Sequence, residues 1–354
     1  MSSAETNPSK KMINVLIVDD SRLLAELIQD ILSSDPQVRV VGIAKNGKEA
    51  LEKVKALRPD IITMDVHMDV LDGVEATKQI MTENPTPILI VTNSISPENS
   101  EKIFHALSYG ALDVFDKGRI EFKDDRVSRD LLIHQVKYLS RIAVKPYGTL
   151  KDSTARKQGI PSQGRKASDK IVAIVASTGG PQAILRILKD FNGDFPCGVL
   201  IVQHISKGFE ANLMHWLNET CAIDVRIAKD HEVIHPAVAY IAPNDKHLRV
   251  NGEGKIELGP DLAVGGFRPS GDILLRSVAD VYGKNAIGVI LTGMGKDGAE
   301  GMMAIKKKHG VTIAQDEKSC MIFGMPKTAI EKGAVSQVLP LEKISQAILD
   351  CVKT

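Results

Sequence analysis

The chain has 354 residues, 43% of them hydrophobic, 4% aromatic and 25% charged, with a formal net charge of +1. That length suits two domains of roughly 150 residues each. Near-neutral charge and few aromatics argue against nucleic acid or a charged membrane surface as partner. The four cysteines, Cys197, Cys221, Cys320 and Cys351, form no C-x-x-C pair and read as reduced, mostly buried thiols. Residues 1–11 are polar, and no apolar run approaches the about 20 residues that span a bilayer. A cytoplasmic protein without membrane insertion is expected.

From residue 12 to 138 a strand–helix alternation repeats. Apolar runs at 13–18, 38–43, 61–64, 87–91 and 111–115 read as five strands. Leu23, Leu24, Leu27, Ile28, Ile31 and Leu32 recur between the first two at helical spacing. Such alternation predicts a doubly wound parallel sheet. Residues 139–169 break the rhythm and read as a basic, flexible linker. Within 141–170 stand eight Lys or Arg against two Asp, amid Gly, Ser and Pro.

A second alternation occupies 170–354. Strands are expected at 171–176, 198–202, 238–242, 286–291 and 311–314. Residues 247–258 read as a hairpin turned at Asn251-Gly252-Glu253-Gly254. The expected fold is therefore α/β throughout: a five-stranded parallel domain, then a mainly parallel, Rossmann-like domain with a small antiparallel excursion.

In open parallel sheets, chemistry collects beyond the carboxyl ends of the strands. Asp19 and Asp20 follow the first strand, Asp65 the third, Thr92 the fourth and Lys117 the fifth. Three crowded carboxylates repel unless a hard cation joins them, and their oxygens suit Mg²⁺. Lys117 can balance charge, Thr92 can hydrogen-bond an added phosphoryl group, and one carboxylate can be a nucleophile toward a phosphoryl donor. Taken singly, each of these residues is as readily a helix cap; the set of five in register is the signal. His67, beside Asp65, reads as an exposed loop residue rather than a ligand.

In the second half, Ser177 follows the 171–176 run, His204 the 198–202 run, and Asp297 closes Thr292-Gly293-Met294-Gly295-Lys296-Asp297 after the 286–291 run. A hydroxyl, an imidazole and a carboxylate at strand ends look like a hydrolase triad. Ser177 alone is open to a second reading, because Ser-Thr-Gly-Gly before a helix also suits a phosphate loop or a cap. As nucleophile it would use the helix N–H groups near Pro181 for an oxyanion. Thr178 and Met294 are candidates for that support, although Met294 could equally be a packing residue. The order Ser, His, Asp differs from the α/β-hydrolase, chymotrypsin-type and subtilisin-type orders. His215, His231, His235 and His247 lack metal-ligand spacing and read as surface or supporting residues.

Two resemblances follow from these motifs. Asp19-Asp20, Asp65 with Met68 and Asp72-Gly73, Thr92 and Lys117 make residues 12–135 similar to a response-regulator receiver domain. That implies Asp65 as phosphoacceptor, Asp19, Asp20 and Asp65 as Mg²⁺ ligands, and Thr92 with Lys117 as the switch pair. Asp69 and Gly118 stand where receivers usually have proline. Ala176-Ser177-Thr178-Gly179-Gly180, Gln203-His204, Tyr240-Ile241-Ala242-Pro243, Arg268-Pro269-Ser270, residues 291–298 and Phe323-Gly324-Met325-Pro326 resemble the chemotaxis protein-glutamate methylesterase family, usually fused behind a receiver. Ile205-Ser206, Asn244 and Gly271 depart from its pattern.

The second resemblance implies a phosphorylation-activated esterase and glutaminase. Methylated chemoreceptor helices are the substrate it implies, and a chemotaxis histidine kinase the phosphodonor. Its unphosphorylated receiver is expected to cover the cleft, and no cofactor is expected at the catalytic site. The other readings are a receiver-regulated, non-catalytic adaptor and a DNA-binding regulator. The second half shows no basic recognition helix for the latter.

Overall fold

The computed structural model describes residues 12–92, 97–120, 126–144, 146–147, 168–205 and 207–353, and the chain divides into two compact units. The first half of the chain alternates β1 (Ile13–Val18), α1 (Arg22–Ser33), β2 (Val38–Ala44), α2 (Gly47–Leu57), β3 (Ile61–Met64), α3 (Gly73–Glu83), β4 (Ile88–Thr92), α4 (Pro97–Ser108), β5 (Asp113–Asp116) and α5 (Arg126–Leu139), and of these only residues 97–104 of α4 group with the second unit. Its sheet runs in the order β2-β1-β3-β4-β5 with every pairing parallel. That is the doubly wound sheet expected from the alternation.

Helix starts are set by short polar side chains. Ser21, Asn46 and Asp72 each accept a backbone N–H from the first turn of α1, α2 and α3, which satisfies donors that a helix leaves open at its start. The strands β1, β3 and β4 are almost wholly buried. Each buried Val or Ile there contributes about 1.5–3 kcal/mol relative to exposure.

The second unit follows as β6 (Ile171–Ala176), α6 (Gly180–Leu188), β7 (Gly198–Gln203), α7 (Glu210–Thr220), β8 (Asp224–Ile227), β9 (Val238–Ile241), β10 (His247–Val250), β11 (Ile256–Gly259), α8 (Gly271–Tyr282), β12 (Ala286–Ile290), α9 (Ala299–Lys307), β13 (Val311–Gln315), α10 (Met325–Glu331), β14 (Gln337–Leu339) and α11 (Leu341–Lys353). Seven strands form one sheet in the order β14-β13-β12-β6-β7-β9-β8, all parallel. β10 and β11 pair antiparallel as the expected hairpin, with His247 opposite Gly259. The central β6, β7 and β12 are fully buried, as strands covered on both faces must be. β6 and β7 carry Ser177 and His204 directly at their ends.

Four expectations differ from what is found. β8 and β14 carry no continuous apolar run and are edge strands of the seven-stranded sheet. His67 is half-buried rather than exposed, with Nε2 buried and without a hydrogen bond. Of the four thiols only Cys197 is fully buried; the others are half-buried. The segment expected as linker begins with chain packed on the first unit. Tyr147 N–H donates to the Met81 carbonyl at 2.9 Å, and its ring meets Tyr109 edge-on at 5.1 Å. Most of the basic segment, 148–167, lies outside the described residues, as do residues 1–11 and Ser206. Among the described residues no helix is long and apolar enough to cross a membrane.

Candidate active site

The loops after β6, β7 and β12 bring the three candidate residues of the second unit to one end of its sheet. Parallel register places Ala176 beside Gln203, and His204 N–H donates to the Ala176 carbonyl at 2.9 Å. Ser177 and His204 therefore leave neighbouring strands at the same level. Asp297 lies seven positions past the end of β12 at Ile290 and reaches His204 through the glycine-rich loop between. Its Oδ2 lies 2.8 Å from His204 Nε2, with both side chains nearly buried. The other ring nitrogen, Nδ1, is buried and takes no hydrogen bond from any described residue. Such contacts are commonly long without substrate and tighten when it binds.

Asp297 is held from several sides. Ser270 Oγ donates to its Oδ1 at 2.7 Å, Gly271 N–H to Oδ2 at 2.6 Å and Asp272 N–H to Oδ1 at 3.1 Å. These donors form the N-terminus of α8, where open N–H groups favour an anion. Burial pushes the Asp297 carboxyl up. His204, the Gly271 N–H and the Ser270 hydroxyl outweigh it and hold the group below its ordinary value. Gly271 is required by close approach: a Cβ there would lie 2.3 Å from Val175 Cγ1.

Three supports were not legible as such. Gln203, the last residue of β7, donates its amide to the carbonyls of Ser177 at 2.7 Å and His204 at 2.9 Å, joining the loops of both. Thr292 accepts the Ser177 N–H on its carbonyl at 3.0 Å. Its hydroxyl donates to the Thr178 carbonyl at 3.0 Å and accepts the Ile322 N–H at 2.8 Å. The one available signal for each is a polar residue closing a wholly apolar strand. A third, Phe267, stacks on the His204 ring at 4.0 Å between centroids and 8° between planes.

Thr178 thus has its carbonyl fixed by Thr292. Gly179 caps α6 in the left-handed region without a side-chain hydrogen bond, and the Gly180 N–H at the helix start donates to the Ser177 carbonyl at 2.8 Å. Met294 is 39% exposed, so it is not a core-packing residue. Its neighbour Gly293 lies against Ser177, since a Cβ on Gly293 would be 2.7 Å from Ser177 Cβ. Burial pushes the thiols up, Cys221 to about 12 and Cys320 higher still with help from Asp316. Neither is primed as a nucleophile.

In the first unit, Asp19, Asp20 and Asp65 place one oxygen each within 4.8 Å of one another, two of the three residues buried. Lys117 Nζ lies 2.6 Å from both Asp19 and Asp65 while only 1% exposed. Burial raises the Asp19 carboxyl, Lys117 partly opposes it, and the charge of Asp65 adds to it. Thr92 Oγ1 is buried and has no hydrogen bond. Asp65 also accepts the Val66 N–H at 2.7 Å. Gly73 is required behind it, because a Cβ would lie 1.9 Å from the Asp65 carbonyl oxygen. Asp19, Asp20, Asp65 and Lys117 are therefore brought together, Thr92 ends β4 opposite Asp116, next to Lys117, and an oxygen-only, net-negative carboxylate set fits a hard divalent cation.

The profile of the CheB methylesterase family matches residues 172–348, and that of the response regulator receiver domain matches 15–124. The chain belongs to the CheB methylesterase family. A protein-glutamate methylesterase/protein-glutamine glutaminase of Syntrophus aciditrophicus is 43% identical, over 96% of this chain and 98% of its own length. One of Pyrococcus horikoshii is 38% identical, over 97% and 94%. The solved CheB methylesterase catalytic domain of Thermotoga maritima is 39% identical, with a TM-score of 0.51, over 52% of this chain and 98% of that domain. Receiver and methylesterase domains in one chain, matched nearly end to end, make this protein an enzyme of that family.

Proposed function

We propose that the chain is a phosphorylation-activated hydrolase of the cytoplasm. It removes methyl esters from glutamate side chains of chemoreceptors and deamidates receptor glutamines through Ser177, His204 and Asp297. The observation that carries the reading is the His204–Asp297 pair: Asp297 occupies Nε2, leaving Nδ1 for the hydroxyl on the adjacent strand end.

His204 Nδ1 takes the Ser177 hydroxyl proton as Oγ attacks the γ-carbonyl carbon. The carbonyl oxygen gains charge, which N–H groups of the Thr178 and Met294 loops would meet. The proton passes from Nδ1 to the departing oxygen, and methanol leaves; from glutamine, ammonia leaves. Water then gives a proton to Nδ1 and attacks the acyl carbon. The Ser177–acyl bond breaks, Oγ recovers the proton, and a free carboxylate is released. Asp297 stays ionised throughout, fixing the tautomer and stabilising the imidazolium.

In the receiver, Asp65 is the proposed phosphoacceptor from a chemotaxis histidine kinase, with Thr92 and Lys117 receiving the phosphoryl oxygens. Asp19, Asp20 and Asp65 would hold Mg²⁺, which when bound neutralises the crowded negative charge. The buried Thr92 hydroxyl supports this, because it offers a donor that finds no hydrogen-bond partner among the described residues.

The test is methanol release from methylated receptor membranes with a small phosphodonor and Mg²⁺. Release by the intact chain that disappears in Ser177→Ala is expected. Equal release by both, or none by the intact chain, contradicts the reading, and the latter favours a non-catalytic adaptor.

A further inference from the structure

His247 opens β10, is 0% exposed, and takes no part in the chemistry above. Each ring nitrogen has one partner. Nδ1 accepts the Ser270 N–H at 3.1 Å, and Nε2 faces the Leu262 carbonyl oxygen at 3.1 Å. An amide N–H can only donate and a carbonyl can only accept. The ring is therefore the neutral tautomer with its proton on Nε2.

Those partners stand toward opposite ends of one excursion, residues 260–270 between β11 and α8. Leu262 is 88% exposed, and the excursion makes two ion pairs beyond itself, Asp261 with Arg249 of β10 at 2.5 Å and Arg268 with Asp245 at 3.8 Å. Val264 and Phe267 pair with each other through two backbone bonds of 3.0 Å, and Arg268 Nη1 returns to the carbonyls of Pro260 and Asp261 at 3.2 Å. The Val264–Phe267 and Arg268 bonds close the excursion on itself; His247 is its buried tie to the hairpin, beside the partly exposed Arg249–Asp261 pair. The excursion delivers two groups to the site. Phe267 covers one face of His204, and Ser270 begins the helix whose donors hold Asp297.

We propose that His247 is a positioning residue for the His204–Asp297 pair, pinning with one imidazole both the ring over His204 and the cradle of Asp297. The proposal rests on the triad reading. Histidine suits the position because it supplies an acceptor and a donor on opposite sides of one rigid ring. An aliphatic residue leaves a buried N–H and a buried carbonyl unpaired. Asparagine can offer an oxygen to Ser270 but does not reach Leu262.

The experiment compares the full chain with His247→Leu, His247→Asn and Ser177→Ala, measuring kcat and KM for methanol release per folded molecule. The downfield imidazole proton of the His204–Asp297 bond is read by NMR. Misplacement of about 1 Å costs about 10²-fold in rate, so His247→Leu is expected to lower kcat about that much with KM little changed and to broaden the downfield proton. His247→Asn is expected to recover about tenfold of it and to remain below native. Should His247→Leu fail to fold, His247→Asn carries the test: a modest kcat loss with the downfield proton shifted supports positioning. Native kcat and an unmoved proton in either variant overturn the proposal, as does an equal fall in kcat with the proton unmoved. If Ser177→Ala keeps native activity, the triad reading fails instead.

Discussion

Asp19 and Asp297 are both buried carboxylates beyond the strand ends of a parallel sheet, and they move in opposite directions. Burial raises each. At Asp297 the imidazole, a hydroxyl and helix N–H groups reverse the effect; at Asp19 a shared lysine and the Ser21 N–H do not, and a second carboxylate adds to it. The same residue type at the same topological place thus becomes a permanent anion in one unit and a group awaiting a cation in the other. What differs is the number of donors that the neighbouring elements supply.

The comparison breaks most readily at Asp297. Asp297→Asn keeps the shape but cannot hold the imidazole in the working tautomer, so methanol release is expected to fall about 10⁴-fold in kcat. A fall under tenfold would place the orienting role elsewhere. On the receiver side, Asp65→Asn is expected to lose phosphate incorporation and stimulation by phosphodonor together. Stimulation persisting without label on the chain would contradict Asp65 as acceptor.

Stability against pH sharpens the contrast. The native Asp297 carboxyl lies below its ordinary value, so its contribution is present above about pH 3.9 and lost as pH falls through the native pKa. The native Asp19 carboxyl lies above its ordinary value, so without a divalent cation the first unit loses stability as pH rises through that interval. Mg²⁺ is expected to raise the melting temperature of that unit near neutral pH, by the equivalent of about 2.7 kcal/mol at a hundred times its dissociation constant. Asp19→Asn should shrink that gain, and calorimetry with and without Mg²⁺ reads both. Smaller still, Phe267→Leu removes the ring over the imidazolium. At about 0.5–1 kcal/mol for such contacts it is expected to slow turnover two- to fivefold, read as kcat for methanol release.

Much of this was legible in the sequence. Ile171–Ala176 is apolar throughout and Gly198–Gln203 at every position but the last, which reads as strands covered on both faces. Ser177 and His204 were found because they follow those runs directly. The cradle of Asp297 was not, because its donors come from a helix start 25 to 27 positions earlier. Gln203 stood within a recognised motif, yet its two hydrogen bonds to the carbonyls of Ser177 and His204 depend on the register of β6 against β7. β8 and β14 escaped because edge strands of four and three residues bury too little to leave an apolar pattern.

The central claim is a covalent step at Ser177. Its most direct test is rapid quench of the enzyme with a methylated receptor peptide, followed by mass spectrometry of the fragment that carries Ser177. A γ-glutamyl peptide adduct on Ser177, formed with the first equivalent of methanol and absent in Ser177→Ala, is the predicted result. Methanol released by the native chain with no adduct at any time point, and at the same rate in Ser177→Ala, would contradict it.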